Sequence, residues 1–413
     1  MDRYNGKIGL WSYRARTIPA LLLIAFLFLI PMAFVFSSAI REGTLAEALG
    51  EGATYRILLF TAEEAFLSAL VSTLLALPFA AFFSSYRFPG RKAILALSGL
   101  SFTMPAILVV LGFVIWYGNN GYLNTMLSEI IGQGYRPFRI LYTFPAIILA
   151  HAYLNFPIAF LIITGAWSER SGNEEYAAYS LGKSRLWTFL HVTLPSLRGS
   201  AASSFALIFL YCFSSFAIVL VLGGQPRYYT MEAEIYRRVY IDADIPSAAA
   251  ISIIALAATA LLLLIMPEGR KEKKADRKRR MLRKAHGWSL AAAFIIMLII
   301  LSFLLPPMLA IVYRSFHAKG GAFTAEHWMK GLEAGSMAIA ASFVIALISA
   351  WLSVSAASAI ALYSAHRQSR VLSFISTLPL AAGSVTIGLG LLIVSSAISR
   401  LLPLSADWIR YIM

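Results

Sequence analysis

Runs of about 20 apolar residues recur along this chain, each long enough for a helix to cross a hydrocarbon core of about 30 Å. That recurrence excludes a water-soluble globule. Charged residues make up only 13% of the sequence and hydrophobic ones 59%, whereas a soluble domain is about a quarter charged. The period-2 alternation of a barrel strand is absent, so helices must satisfy the backbone inside the membrane. About nine spans are expected, near 17–40, 56–83, 93–117, 144–166, 199–223, 246–266, 288–313, 335–362 and 371–398. The apolar stretch of the first exceeds a signal-peptide core, and no small-residue cleavage site follows it, so it reads as a retained helix. The lone cysteine, Cys212, lies inside an apolar run and reads as a small packing residue.

Charge sets the expected orientation. With the N-terminus in the cytoplasm, the inside segments are the N-terminal tail, 84–92, 167–198, 267–287 and 363–370. They hold roughly two-thirds of all Lys and Arg, as the positive-inside rule requires. The net charge of +15 is therefore mostly a topology signal. The densest block, EGRKEKKADRKRRMLRK from Glu268 to Lys284, reads as a solvated linker between two membrane halves. Such a run also leaves anionic lipid or nucleic acid open as a ligand; the linker reading is taken here, with no nucleic-acid partner expected.

The linker separates two similar patterns. LIPMAFVFSSAIREG from Leu29 matches LPPMLAIVYRSFHAKG from Leu305, and FAAFFSSYRFPGRKAIL matches SAIALYSAHRQSRVLSF. This predicts a parallel repeat: residues 1–266 with six spans, a basic linker at 267–287, and a second copy at 288–413 with about three spans. The second copy reads as C-terminally incomplete, its remaining spans to be supplied by a further segment or a separate chain.

Between the fourth and fifth spans lies EEYAAYSLGKSRLWTFLHVTLP, Glu174 to Pro195. A simple reversal needs only a few residues, and this loop is organised. Ala177 and Ala178 permit close approach. Gly182 permits a positive φ, so that one helix stops and another starts at a fixed angle. Ser184 is placed to cap the second helix. Leu186, Phe189, Leu190 and Thr193 recur at helical spacing and predict one apolar face, and Pro195 suits the first turn of the next helix. The expected product is a rigid elbow with a docking face and a basic fringe from Lys183 and Arg185.

On these residues the loop resembles the EAA motif of ABC importer permeases. Ala177, Ala178, Gly182, Leu194 and Pro195 match in register, and Val192 stands for the usual Ile. Tyr176 occupies the glutamate position, with Glu175 one residue earlier. CFSSFAIVLVLGGQPRYYTMEAEIY, Cys212 to Tyr236, resembles the thiamine permease group. It matches at Ser215, Phe216, Ala217, Leu222, Gly223, Gly224, Pro226, Thr230, Glu232, Ile235 and Tyr236. FPGRKAIL from Phe88 and ILAHAYLNFPIAF from Ile148 also resemble that group, and ferric-iron permeases carry looser versions. The resemblance implies an all-α membrane protein with the type I ABC importer permease fold in the bacterial inner membrane. It implies that the loop couples the spans to a cytoplasmic ATPase dimer, that ATP and Mg are bound by that partner, and that a periplasmic binding protein delivers thiamine or its phosphates. Ferric iron is the alternative cargo.

The chain itself shows no phosphate loop, no metal-ligand spacing and no nucleophile elbow; it is expected to be a transport subunit, not an enzyme. Polar residues within spans are costly and therefore informative. His151 and Asn155 share a helix face and serve either the translocation path or hydrogen bonds between helices. Gly223, Gly224 and Pro226 form either a plain turn or part of an outer gate with Glu232 and Tyr236. Glu63 and Glu64 are expected near a membrane surface, or else attract a cation. Trp116, Tyr117, Tyr228, Tyr229 and Tyr240 suit an interfacial belt, with ring stacking on a ligand as the other use. An ion-coupled secondary transporter is the rival class, and it predicts broken spans with paired ionisable residues. An inactive permease fragment is a third reading.

Overall fold

The computed structural model describes residues 17–132, 138–170, 172–224, 228–265, 281–318, 321–367 and 376–401. In chain order the helices are α1 (Thr17–Arg41), α2 (Thr44–Gly50), α3 (Gly52–Ser85), α4 (Arg91–Phe102), α5 (Ala106–Tyr117), α6 (Tyr122–Ile131), α7 (Phe144–Ser168) and α8 (Asn173–Ser180). They continue with α9 (Arg185–Phe213), α10 (Ala217–Leu222), α11 (Met231–Tyr240), α12 (Ile245–Ile265), α13 (Trp288–Ser315), α14 (Glu326–Arg367) and α15 (Ser384–Leu401). Two short strands, β1 (Tyr86–Arg87) and β2 (Arg283–Lys284), pair in parallel.

Among the described residues eight helices are long and apolar enough to cross a membrane, and the apolar stretch Ser384–Arg400 is shorter. The structure therefore has the all-helical build expected, with breaks the apolar runs did not announce. The third run is two helices, α4 and α5, because Pro105 supplies no N–H and disfavours helical geometry in the residue before it. The fifth run begins earlier than expected, at Arg185, and breaks at 214–216 before α10. The ninth expected span falls partly on 371–375, and most of the basic linker on 267–280; both lie outside the described residues.

Two compact units divide the chain, and each draws on both sides of the linker. One comprises Arg56–Thr230 and Leu262–Arg314. Its centre is α7, with 72% of its apolar window buried, packed against α4 and α9. Gly112 on α5 lets the backbone of α13 approach: a methyl group there would lie 2.6 Å from the Pro307 carbonyl oxygen. The Tyr153 hydroxyl donates to the Leu304 carbonyl at 2.7 Å, in the part of α13 where Pro306 and Pro307 interrupt the helical ladder.

The other unit comprises Met1–Tyr55, Met231–Leu261 and Ser315–Met413. Here α1 packs on α15, with Gly390 against Pro31: a methyl group at 390 would lie 2.9 Å from the Pro31 Cβ. Thr259 donates to the Ala381 carbonyl at 2.6 Å. The window of α14 is 0% buried, and its outward Phe343, Ile345 and Trp351 carry no solvation cost where lipid tails are the solvent.

Candidate functional site

The loop forms an elbow. Helix α8 ends in a Schellman motif: Lys183 N–H donates to the Ala178 carbonyl at 3.0 Å and Gly182 N–H to that of Tyr179 at 2.9 Å. Gly182 adopts φ +77°, with open space where a side chain would stand. The constraint at 182 is thus backbone conformation, not room. Ser184 caps α9, accepting from Trp187 N–H at 3.2 Å. The ladder then widens into a π segment, Phe189–Thr193, closed by Leu194 N–H donating to the Phe189 carbonyl, and Pro195 follows in the next first turn. The elbow therefore runs on into the fifth span as one helix.

The four residues expected on one apolar face divide between two. Thr193 is buried, and Phe189 stacks on Trp167 at 6.1 Å. Leu186 and Leu190 point outward, Leu186 with 68% exposure. Ala178 is buried and Ala177 exposed. Leu181, 78% exposed, is a second outward apolar residue of the elbow, five positions before Leu186. Glu175 accepts from Thr193 at 3.1 Å, tying α8 to the base of the fifth span. Leu194 is half-buried and Pro195 exposed.

A polar network sits inside the same unit. His151 Nδ1 lies 2.5 Å from Glu64 Oε1 and its Nε2 lies 2.8 Å from the Ser215 hydroxyl. Ser68 donates to Glu64 Oε1 at 2.8 Å. Glu64 is 0% and His151 2% exposed, so Glu64 faces the protein interior, whereas Glu63 faces outward. Asn155 donates to Cys212 Sγ at 3.3 Å. His151 and Asn155 thus tie helices together, and Ser215 places the network at the break in the fifth span. The pairing of Glu64 with His151 was missed in the sequence, yet a signal existed. Thr61, Glu64, Ser68 and Ser72 form a polar stripe at three- and four-residue spacing on an otherwise apolar helix, and all four are buried.

The remaining predicted residues lie beyond the end of α10 and on α11. Gly223 N–H closes α10 by donating to Val219 at 2.9 Å. Gly224 adopts φ +61°, and a side chain there would meet Tyr142, its Cβ 2.8 Å from that residue's Cβ. Pro226 lies outside the described residues. Glu232, buried in the other unit, caps α15: it accepts from Val385 N–H at 2.9 Å and the Thr386 hydroxyl at 2.7 Å. Tyr236 packs its ring 4.8 Å from Tyr240.

Burial pushes the Glu232 carboxyl upward, against the pull of the hydrogen bonds from Thr386 and Val385. A raised folded value favours the neutral acid. Its stabilising contribution is then complete below the unfolded value and lost as pH rises through the folded one. Glu232→Gln should flatten that dependence, and Glu232→Ala should cost about 1–2 kcal/mol through the lost cap. Thermal unfolding of the purified chain across pH measures both effects.

The elbow thus presents outward apolar residues between two apolar spans. Residues 66–267 match the family described as binding-protein-dependent transport system inner membrane component. Among known proteins it is 35% identical over 206 residues to the thiamine transport system permease protein of Brucella abortus strain 2308, covering 50% of this chain and 37% of that one. It is 34% identical over 204 residues to the Escherichia coli K12 protein of the same description, covering 49% and 37%. The ferric transport system permease protein of Actinobacillus pleuropneumoniae is 31% identical over 216 residues, 50% of this chain and 30% of that one. The match thus spans little more than a third of the thiamine relatives' length. A crystal structure of a bacterial ABC transporter involved in the import of the acidic polysaccharide alginate superposes with a TM-score of 0.53 at 18% identity. It covers 66% of this chain and all of that one, and shows a shared fold.

Proposed function

We propose that this chain is the membrane-spanning permease subunit of an ATP-driven importer in the bacterial inner membrane. Its N-terminus faces the cytoplasm, and its cargo is thiamine or thiamine phosphate delivered by a periplasmic binding protein. A cytoplasmic ATPase dimer docks at Glu174–Pro195, binds ATP and Mg, and rocks the spans through the elbow. The observation that carries this reading is the elbow itself: a left-handed glycine fixes the angle between two helices that present Leu181 and Leu186 outward. The cargo assignment rests on the similarity to thiamine permeases; ferric iron is the second candidate because a ferric permease is also similar.

A tandem repeat, 1–266 and 288–413 joined by 267–287, is supported by a recurring contact. Pro307 meets Gly112 in one unit and Pro31 meets Gly390 in the other. The prolines lie 276 positions apart (31 and 307) and the glycines 278 (112 and 390), matching the repeat offset in the sequence.

Gly182→Val tests the coupling. A β-branched residue at φ +77° is strained, so ATP-dependent uptake into proteoliposomes should fall at least tenfold while membrane insertion stays normal. Unchanged uptake would sink the coupling reading. The Glu64–His151 pair beside a broken span is the feature an ion-coupled transporter would carry. Uptake that survives ATPase inhibition and collapses with the proton gradient would favour that class.

A further inference from the structure

Tyr176 stands where the resembled motif carries glutamate, and the fold gives it a cation. The Arg283 guanidinium lies over the Tyr176 ring, 5.7 Å from its centroid, and donates to the hydroxyl at 3.4 Å. The backbone brings it there. β2 runs beside β1 with Tyr86 opposite Arg283 and Arg87 opposite Lys284, and Ala285 N–H extends the ladder to the Arg87 carbonyl at 3.0 Å. The tail of the basic segment is thereby held against α8. Between them is a notch of about 390 Å³, walled by Tyr86, Glu175, Tyr176, Tyr179, Arg185 and Arg283.

Charge around this notch is distributed with a clear sense. Glu175 spends a carboxylate oxygen on Thr193, toward the base of the fifth span. Arg185 and Arg283 line the opening, Lys183 lies over the Trp187 ring at 4.9 Å, and Lys284 is exposed. Leu181 and Leu186 project from the same elbow. A body docking on those leucines would draw the guanidinium groups out of water. A guanidinium so desolvated needs a carboxylate to fork against, or its burial opposes docking. A surface complementary to a glutamate at position 176 would instead repel Arg283.

We propose that the Tyr176–Arg283 clamp makes the end of the basic segment part of the docking surface, and that its occupant is an acidic segment of the ATPase partner. This rests on the coupling reading of the loop. Arg283 and Arg185 fork the partner's carboxylates, while Leu181 and Leu186 fill its apolar contact. Tyr176 holds Arg283 in place without neutralising it, as a glutamate would.

The test measures binding of the purified full-length chain in nanodiscs to a purified cognate ATP-binding-cassette subunit, at low and high salt. Arg283→Glu should weaken low-salt binding by about tenfold or more, the range of a charge pair buried on association. Arg283→Lys should lose only a few-fold. Tyr176→Glu should weaken binding and flatten its salt dependence, by drawing Arg283 into an internal pair. Lysine substitutions at the partner's acidic positions should restore binding to Arg283→Glu. Arg283→Glu binding like the unaltered chain while Leu186→Asp fails to bind would overturn the clamp and leave the coupling reading standing. Normal binding by Leu186→Asp would overturn the coupling reading itself. Where Arg283→Glu does not insert, Arg283→Gln with the partner-side lysines decides. Displacement of the partner by inorganic phosphate without any effect of its acidic residues would assign the notch to a free anion and overturn the proposal.

Discussion

His151→Ala should destabilise the purified chain by about 1–3 kcal/mol, the cost of leaving a buried polar group without its hydrogen-bond partner. Glu64 is wholly buried, and its Oε2 atom has no hydrogen-bond partner among the described residues. With the imidazole gone, its Oε1 atom keeps only the Ser68 hydroxyl. Replacing both members should be far milder. Glu64→Met combined with His151→Leu removes both polar groups together, and replacing both partners by apolar groups of similar shape is often nearly neutral. Ser215→Ala should cost about 1 kcal/mol, one hydrogen bond, because Nε2 loses a single neighbour. Denaturant titration in detergent of Glu64→Met, His151→Leu and their double closes a mutant cycle. Additive losses would show that Glu64 and His151 are not coupled.

How much of this was legible beforehand depends on the range of each interaction. The elbow was readable because its determinants are local: Gly182 must turn left-handed, Ser184 must cap and Pro195 must sit in a first turn, all within a few residues. The helical build was readable because lipid leaves the backbone few alternatives. The break at Pro105 had a local cause and could have been read from the proline. The break at 214–216 has no such signal: Ser214, Ser215 and Phe216 are ordinary residues, and Ser215 there meets a histidine from another helix. The single apolar face assigned to Leu186, Phe189, Leu190 and Thr193 failed for a related reason. Trp167 and Glu175 claim Phe189 and Thr193, and periodicity alone cannot say which neighbour arrives. Arg283 on Tyr176 was the least legible contact. It joins positions 107 apart through a two-residue strand pair of ordinary composition.

Gly112→Val should be the more damaging substitution of the two glycine–proline contacts. A methyl group at 112 would lie 2.6 Å from the Pro307 carbonyl oxygen, 3.0 Å from its carbon and 3.1 Å from its Cβ. Two of those atoms are backbone, and the proline ring fixes φ, so α13 has no rotamer with which to yield. Even Gly112→Ala should cost about 1–3 kcal/mol as an overpacked contact, and valine adds two further carbons. Gly390 meets its proline less severely, with Pro31 Cβ and Met32 Cε both at 2.9 Å and the Pro31 carbonyl carbon at 3.1 Å. Met32 can swing aside, so Gly390→Ala should cost less than Gly112→Ala. Gly165, inside α7 with nothing within 4 Å, is the control. Alanine there should gain up to about 1 kcal/mol from helix propensity. Thermal unfolding of the three alanine variants orders them. A loss at 165 equal to that at 112 would mean that helix insertion, and not the proline contact, sets the cost. If 112 and 390 respond and 165 does not, two glycines 278 positions apart in sequence (112 and 390) perform one packing task in two units, as a duplicated helix pair requires.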